Sequence, residues 1–303
     1  MRRTYLVSDL IPYINWIYFF HTWGVAAKFA GIAKVHACEA CRHAWVKAFE
    51  PDDQTKAAEA LRLYMEATRL LGRINSYTHI RCIVKLFEAN SDGDDILLHH
   101  TPGPSDTFRL PMLRQQQPGT DGFCRSMADY IRPISSGQTD TIGIFATSVE
   151  NPAKGNDGTQ TSDEIQQLVM QTLCDRLAEA AAERLHEEVR KSLWGYTPDE
   201  NLTFDDLFAE RFQGIRPAIG YPSLPDLSIN RLIDQLLDFR QIGVSLTANA
   251  MMQPHASVSG LMIAHPAAQY FSVGPISEEQ LQDYARRRNM SAQELKPYLA
   301  PIC

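Results

Sequence analysis

The sequence predicts an α+β fold on three observations. Short apolar runs separated by turn residues cluster between Ile80 and Val149, stretches of helical periodicity lie on both sides of that cluster, and the two kinds do not alternate as strand–helix–strand units would. At 303 residues, the length suits one large domain or two of ordinary size.

Residues from about 1 to 78 read as a helical N-terminal region with an aromatic opening. The run Trp16-Ile17-Tyr18-Phe19-Phe20 is broken by His21, Thr22 and then Lys28, short of the roughly 18–20 apolar residues of a membrane span, so it is core or pocket wall. Leu61, Tyr64, Met65, Thr68 and Leu71 recur at helical spacing and predict a helix around Lys56 to Tyr77 with that face inward. Strands are predicted at Ile80–Glu88, Ile96–His99, Thr107–Leu110 and Thr141–Val149. The breaker-rich stretch Asn151 to Gly158 is a polar connection.

A long helix follows, opened by the capping-box pattern Thr161-Ser162-Asp163-Glu164 and closed at Gly195. Its apolar stripe is Ile165, Val169, Leu173, Leu177, Ala180, Leu185, Val189 and Leu193. A Gly/Pro-rich loop from Gln213 to Leu227 leads to a helix headed by Ser228, with Leu232, Ile233, Leu236 and Leu237 inward and Gly243 at its end. Strands at Val258–Ala264 and Tyr270–Val273 precede two short helices, headed by the capping boxes Ser277 to Gln280 and Ser291 to Glu294.

A net charge of −7 argues against a nucleic-acid coat and leaves proteins or small molecules as partners. After Met1-Arg2-Arg3, the residues Asp9, Pro12 and Asn15 interrupt any uniform apolar stretch, so no export signal is expected. Six cysteines then read as free thiols in a reducing cytoplasm.

Several chemical patterns have a sharp and a plain reading. Cys38-Glu39-Ala40-Cys41, flanked by His36 and His43, is half a zinc knuckle; in a helix its cysteines share a face while the histidines point elsewhere, so no metal site is expected. His99-His100 and His186 lack metalloprotease spacing and read as solvated. Ser257 and Ser259 near His255 read as structural serines. Glycine-rich phosphate loops and the GxSxG elbow are missing.

The most specific stretch is Gln213 to Pro222. It offers the Arg216 guanidinium for a carboxylate, Gly220 for close backbone approach and the Tyr221 ring with its polar tip. Spacing leaves two readings open: a site for a small anionic group, or an arginine paired with Asp226 or Glu210 at the surface.

This loop resembles the RxxxGY motif of the C-terminal activation domain of cobalamin-dependent methionine synthase, which binds S-adenosylmethionine. The resemblance extends, in family order, to Tyr13-Ile14-Asn15-Trp16 with Phe19-Phe20 and Trp23; Leu86 to Ser91 with Gly93 to Ile96; and Leu113 to Gln116. It continues through Ala128-Asp129-Tyr130 with Gly143 to Ala146; Leu177 to Ala180, through His186, to Trp194-Gly195-Tyr196; and Ser257 to Gly260 with His265-Pro266 and Tyr270-Phe271.

The resemblance implies one C-shaped domain over residues 1–303, with a central twisted antiparallel sheet flanked by helices. It implies that Arg216 holds the ligand's carboxylate, that Ala218 and Gly220 lend backbone contacts, and that Tyr221 lines the site. Glu179 matches an acidic residue facing the ligand's positive charge, and Tyr270-Phe271 an aromatic pair beside it. The family pattern departs at two places. Asn15 stands where an aspartate is typical, which keeps hydrogen bonds but loses a charge and implies affinity weaker by about one order of magnitude. The stretch Ala33 to Gln54 does not match and is a candidate lineage-specific insertion or docking surface.

The implied role is a component of a methyltransferase system that is alone not competent for the full reaction. It supplies a methyl group for reductive methylation of cob(II)alamin, with cobalamin on a separate chain if this one is complete. Flavodoxin or a similar electron donor is a further implied partner, and the acidic surface suits docking to a basic patch. The alternatives are a degenerate binding or regulatory module, or an activator of another corrinoid methyltransferase.

Overall fold

The protein is described by a computed structural model covering residues 1–76, 78–100, 106–150 and 164–299. In chain order the elements are β1 (Arg2–Leu6), α1 (Val7–Leu10), α2 (Trp16–Thr22), α3 (Glu39–Lys47), α4 (Pro51–Ile74), β2 (His79–Asp92), β3 (Asp95–His99), β4 (Thr107–Pro111) and β5 (Asp140–Val149). Then follow α5 (Glu164–Glu188), α6 (Phe204–Phe208), α7 (Ile229–Leu237), β6 (Ser245–Leu246), β7 (Met252–Gln253), β8 (Ser257–Met262), α8 (Glu278–Arg288) and α9 (Ala292–Leu299). The main sheet runs β4-β3-β2-β5-β8, all antiparallel. The long strand β2 pairs with β5 on one edge; on the other it pairs with β1 over Ile83 to His79 and with β3 over Ala89 to Asp92.

Strand periodicity builds two cores, one on each face of the sheet. Along β2, Ile80, Cys82 and Val84 enter the first core while Ile83, Phe87 and Ala89 enter the second; in β5, Phe145 and Val149 oppose Ile142, Ile144 and Ala146. The first core is closed by the aromatic N-terminal segment, α4 and α5, the second by α7 and the turn after it. A smaller cluster joins α8 and α9 to Leu113 and Val273. None of the helices among the described residues is long and apolar enough to cross a membrane.

Four expectations are corrected. The buried face of α4 is Ala57, Ala60, Ala67, Leu70, Leu71 and Ile74, whereas Met65 is exposed. Of the expected stripe, Leu71 is buried and Leu61 and Tyr64 are half-buried against the same core, so the correction falls on Met65, while the alanines let the helix sit close to its neighbours. Tyr270–Val273 is not a strand: Phe271 N–H donates to Ser223 Oγ and Val273 N–H to Pro222 O, so the segment is tied to a loop. On α5 the first residue of the expected stripe, Ile165, is exposed, while Val169 through Leu185 are buried. The helix ends in a widened turn over Val189–Leu193, with Gly195 left-handed (φ 74°) as expected. Finally His186, expected in solvent, is fully buried. The connection from Asn151 to Gly158, the capping box before Glu164 and the helix end at Tyr77 lie outside the described residues.

Candidate functional site

A cavity of about 570 Å³ opens beside α5. The helix contributes Arg176, Glu179, Ala180 and Glu183 to its wall, a spacing that places them on one helical face. Opposite lies the loop after Phe212, held extended against β8. Ile215 N–H donates to Ile263 O (2.9 Å), Leu261 N–H to Pro217 O (3.0 Å) and Ile219 N–H to Ser259 O (2.9 Å). Alternation then sends Ile215 and Ile219 into the second core and leaves Arg216 and Ala218 to the cavity. The approach demands Gly260 in β8, where a Cβ would lie 2.2 Å from Pro217 O. Gly220, left-handed at φ +87°, turns the chain so that its N–H reaches Leu224 O (2.8 Å).

Arg216 is the electrostatic centre. Its Nη2 donates to Glu183 Oε2 at 2.8 Å, Nη1 lies 3.9 Å from Glu179 Oε2, and its backbone N–H donates to Tyr270 Oη at 3.0 Å. Burial alone would lower the guanidinium pKa, but the Glu183 and Glu179 charges outweigh it and raise it. Arg216 Nε and Glu183 Oε1 are buried without a partner within the protein, although buried polar groups are ordinarily paired. Tyr221 Oη donates to Glu179 Oε1 at 2.6 Å; burial and that carboxylate raise its phenol pKa. Burial likewise raises the Tyr270 phenol and the Glu210 carboxyl, the latter opposed by Arg216.

Asn15 caps α2, its Oδ1 accepting from Ile17 N–H at 3.1 Å, and reaches the cavity beside Tyr13 and Tyr18. The structure therefore gathers Asn15, Glu179, Arg216, Ala218, Tyr221, Tyr270 and Phe271 around one space, while Gly220 shapes the loop without lining it. Of the two pairings weighed for Arg216, neither forms. Asp226 accepts from Arg288 Nη1 (2.5 Å) and Tyr284 Oη (2.8 Å), and Glu210 lines the cavity. Sequence analysis does not single out Glu183 and Arg176; their spacing of four and three residues puts them on the face of Glu179, but α5 also carries Asp175, Arg184, Glu187 and Glu188, so that spacing alone does not mark them.

The wall thus offers carboxylates for a cation, a partly unsatisfied guanidinium for an anion and aromatic edges for a flat group. Elsewhere, Ser257 Oγ donates to Pro254 O (2.7 Å) and Ser259 Oγ to Asn230 Oδ1 (2.5 Å). His100 is exposed, His99 is half-buried with Nε2 3.0 Å from Asn90 Oδ1, and His186 Nε2 lies 3.3 Å from Tyr196 Oη. His36, expected to point away from Cys38 and Cys41, lies beside them, because residues 36–38 precede α3 instead of continuing it.

The sequence profile of the family described as vitamin B12 dependent methionine synthase, activation domain, matches residues 6–289. A crystal structure of the MetH reactivation domain bound to AdoHcy is similar to this chain, with a TM-score of 0.86 and 35% identity, covering 100% of this chain and 89% of that one.

Proposed function

This chain belongs to the family of activation domains of vitamin B12-dependent methionine synthase, and on that premise we propose that its cavity binds S-adenosylmethionine and holds the methyl group for delivery to cobalamin on a partner module. The observation that carries this reading is the buried Arg216 Nε, left without a partner beside two carboxylates in a cavity large enough for a nucleoside ligand. An AdoHcy-bound relative of the same fold supports it.

The residues present fit such a ligand. Arg216 donates to Glu183 through Nη2 and keeps its Nε–H for the carboxylate. Glu179 places a negative charge toward the ammonium and sulfonium end, and the Tyr221 hydroxyl fixes that carboxylate's rotamer. Ala218 sits where a small side chain leaves its backbone open, and Tyr270 with Phe271 flanks the space for the base. When bound, S-adenosylmethionine supplies an electrophilic methyl group on its sulfonium. The task left to the protein is orientation and water exclusion, because a methyl transfer needs no base to remove a proton. Tyr221 and Glu179 are thus positioning groups. A cobalamin-binding methionine synthase module is the proposed partner, with flavodoxin or a similar donor supplying the electron.

The test is reconstitution: the purified chain, a cobalamin module, a one-electron reductant and methyl-labelled S-adenosylmethionine. The reading expects label on the cobalamin, dependent on this chain and lost with Arg216→Ala. Ligand binding without label transfer would contradict methyl delivery and favour a regulatory module.

A further inference from the structure

Three metal-ligand side chains that the cavity does not use meet at the start of α3. A ring nitrogen of His36 and the Sγ atoms of Cys38 and Cys41 all lie within 4.8 Å of one another. Local backbone structure brings them together. Cys38 is extended (φ −72°, ψ 150°) and caps α3, so its Sγ hangs over the first turn and accepts from the Cys41 N–H at 3.3 Å. Just before it, the Cys38 N–H donates to His36 Nδ1 at 3.3 Å, which folds the imidazole back over the same turn. His43, on the helix itself, is outside the cluster.

We propose that His36, Cys38 and Cys41 form a zinc-binding site, with two thiolates and one imidazole as protein ligands and a solvent molecule in the fourth position. The donor set selects the metal class. Sulfur with imidazole suits zinc and disfavours magnesium and calcium, which take oxygen ligands. With Zn–S of about 2.3 Å and Zn–N of about 2.0–2.1 Å, tetrahedral donors lie roughly 3.5–3.8 Å apart. The cluster must therefore tighten by at most about 1.3 Å, within reach of side-chain rotation at exposed positions. Charge also balances: the two thiol protons leave to solvent, and two thiolates neutralise the dication. The Cys41 amide N–H, already directed at Cys38 Sγ, supports the anionic sulfur as outer-shell donors do.

The test titrates the reduced, metal-free protein with Co²⁺ and then Zn²⁺, reading thiolate-to-cobalt charge-transfer absorption. One equivalent of Co²⁺ per chain is expected to develop the thiolate band and tetrahedral d–d bands, and one equivalent of Zn²⁺ to displace it. Cys38→Ser and Cys41→Ser are each expected to weaken Zn²⁺ binding by about a hundredfold or more, His36→Ala by about tenfold, and His43→Ala not at all. Circular dichroism checks that every variant remains folded. Absence of the thiolate band, saturation at half an equivalent, binding unaffected by the serine variants, or loss with His43→Ala but not His36→Ala would each overturn the site.

Discussion

At Arg216 a buried guanidinium makes a single hydrogen bond to Glu183 through Nη2 while Nε stays unpaired, an arrangement that stability alone would not favour. The arginine and Tyr221 stand out in a breaker-rich loop, but spacing leaves Arg216 open between an anion site and a surface ion pair; the fold brings both side chains to the cavity. Glu183 was not legible, since a glutamate on a helix is usually solvated and only the folded loop turns it into a partner. Asn15 was noticed only against the family pattern. On the proposed function, Asn15→Asp retains a capping oxygen for Ile17 N–H and adds a charge near the ligand's cationic end. Titration should find S-adenosylmethionine bound about tenfold more tightly; equal affinity would remove Asn15 from the site's electrostatics. His186 gives a prediction of the opposite kind, about the fold. Burial, with help from the Arg190 and Arg216 charges, holds its pKa well below the usual value. Stability from a group with a depressed histidine pKa is complete above the unfolded value near 6.5 and lost as pH falls below it, by up to about 1.4 kcal/mol per pH unit. Urea unfolding of His186→Leu, each protein referred to its own value at pH 8, should show a shallower loss below pH 6.5 than the parent. Parallel curves would mean that the buried ring is not the source.

At the scale of elements, strands were easier to locate than faces. The runs at 80–88, 96–99 and 141–149 survive as β2, β3 and β5 because period-two burial on a sheet covered on both sides leaves nearly continuous apolar sequence. On α4 the alanines of the buried face went unmarked because they carry little hydropathic contrast, although their size is what lets helices approach; of the expected stripe, Met65 is the exposed residue. Tyr270–Val273 has strand composition, but its neighbour is a loop in which Pro222 has no N–H to offer a ladder. Pairing between the Arg216 loop and β8 is the element-level device that builds the cavity, and Gly260 permits it. Gly260→Ala should cost about 1–3 kcal/mol in urea unfolding and weaken ligand binding, since Pro217 and with it Arg216 must retreat. Parental values for both would show that the close approach does not set the loop's position.

For the molecule as a whole, layering was legible and the assembly of the cavity was not. Central strands between helical regions implied an α+β fold, the family resemblance implied that the sheet is antiparallel, and the chain has that arrangement. The cavity, however, draws on Asn15, Glu179, Arg216 and Tyr270, which lie far apart in sequence and share no spacing rule; resemblance to a family, not periodicity, pointed to them together. Because those residues come from the N-terminal turn, the long helix, the Arg216 loop and the segment after β8, a ligand there ties four regions of the fold. Calorimetric titration with S-adenosylmethionine of the parent, Arg216→Ala and Tyr221→Phe tests whether the cavity is the ligand site, with thermal unfolding to confirm that each variant is folded. Micromolar one-to-one binding by the parent is expected, with a loss of about a hundredfold or more for Arg216→Ala and of several-fold for Tyr221→Phe, whose Glu179 contact is gone. No binding by the parent, or equal binding by a folded Arg216→Ala, would contradict that role for the cavity.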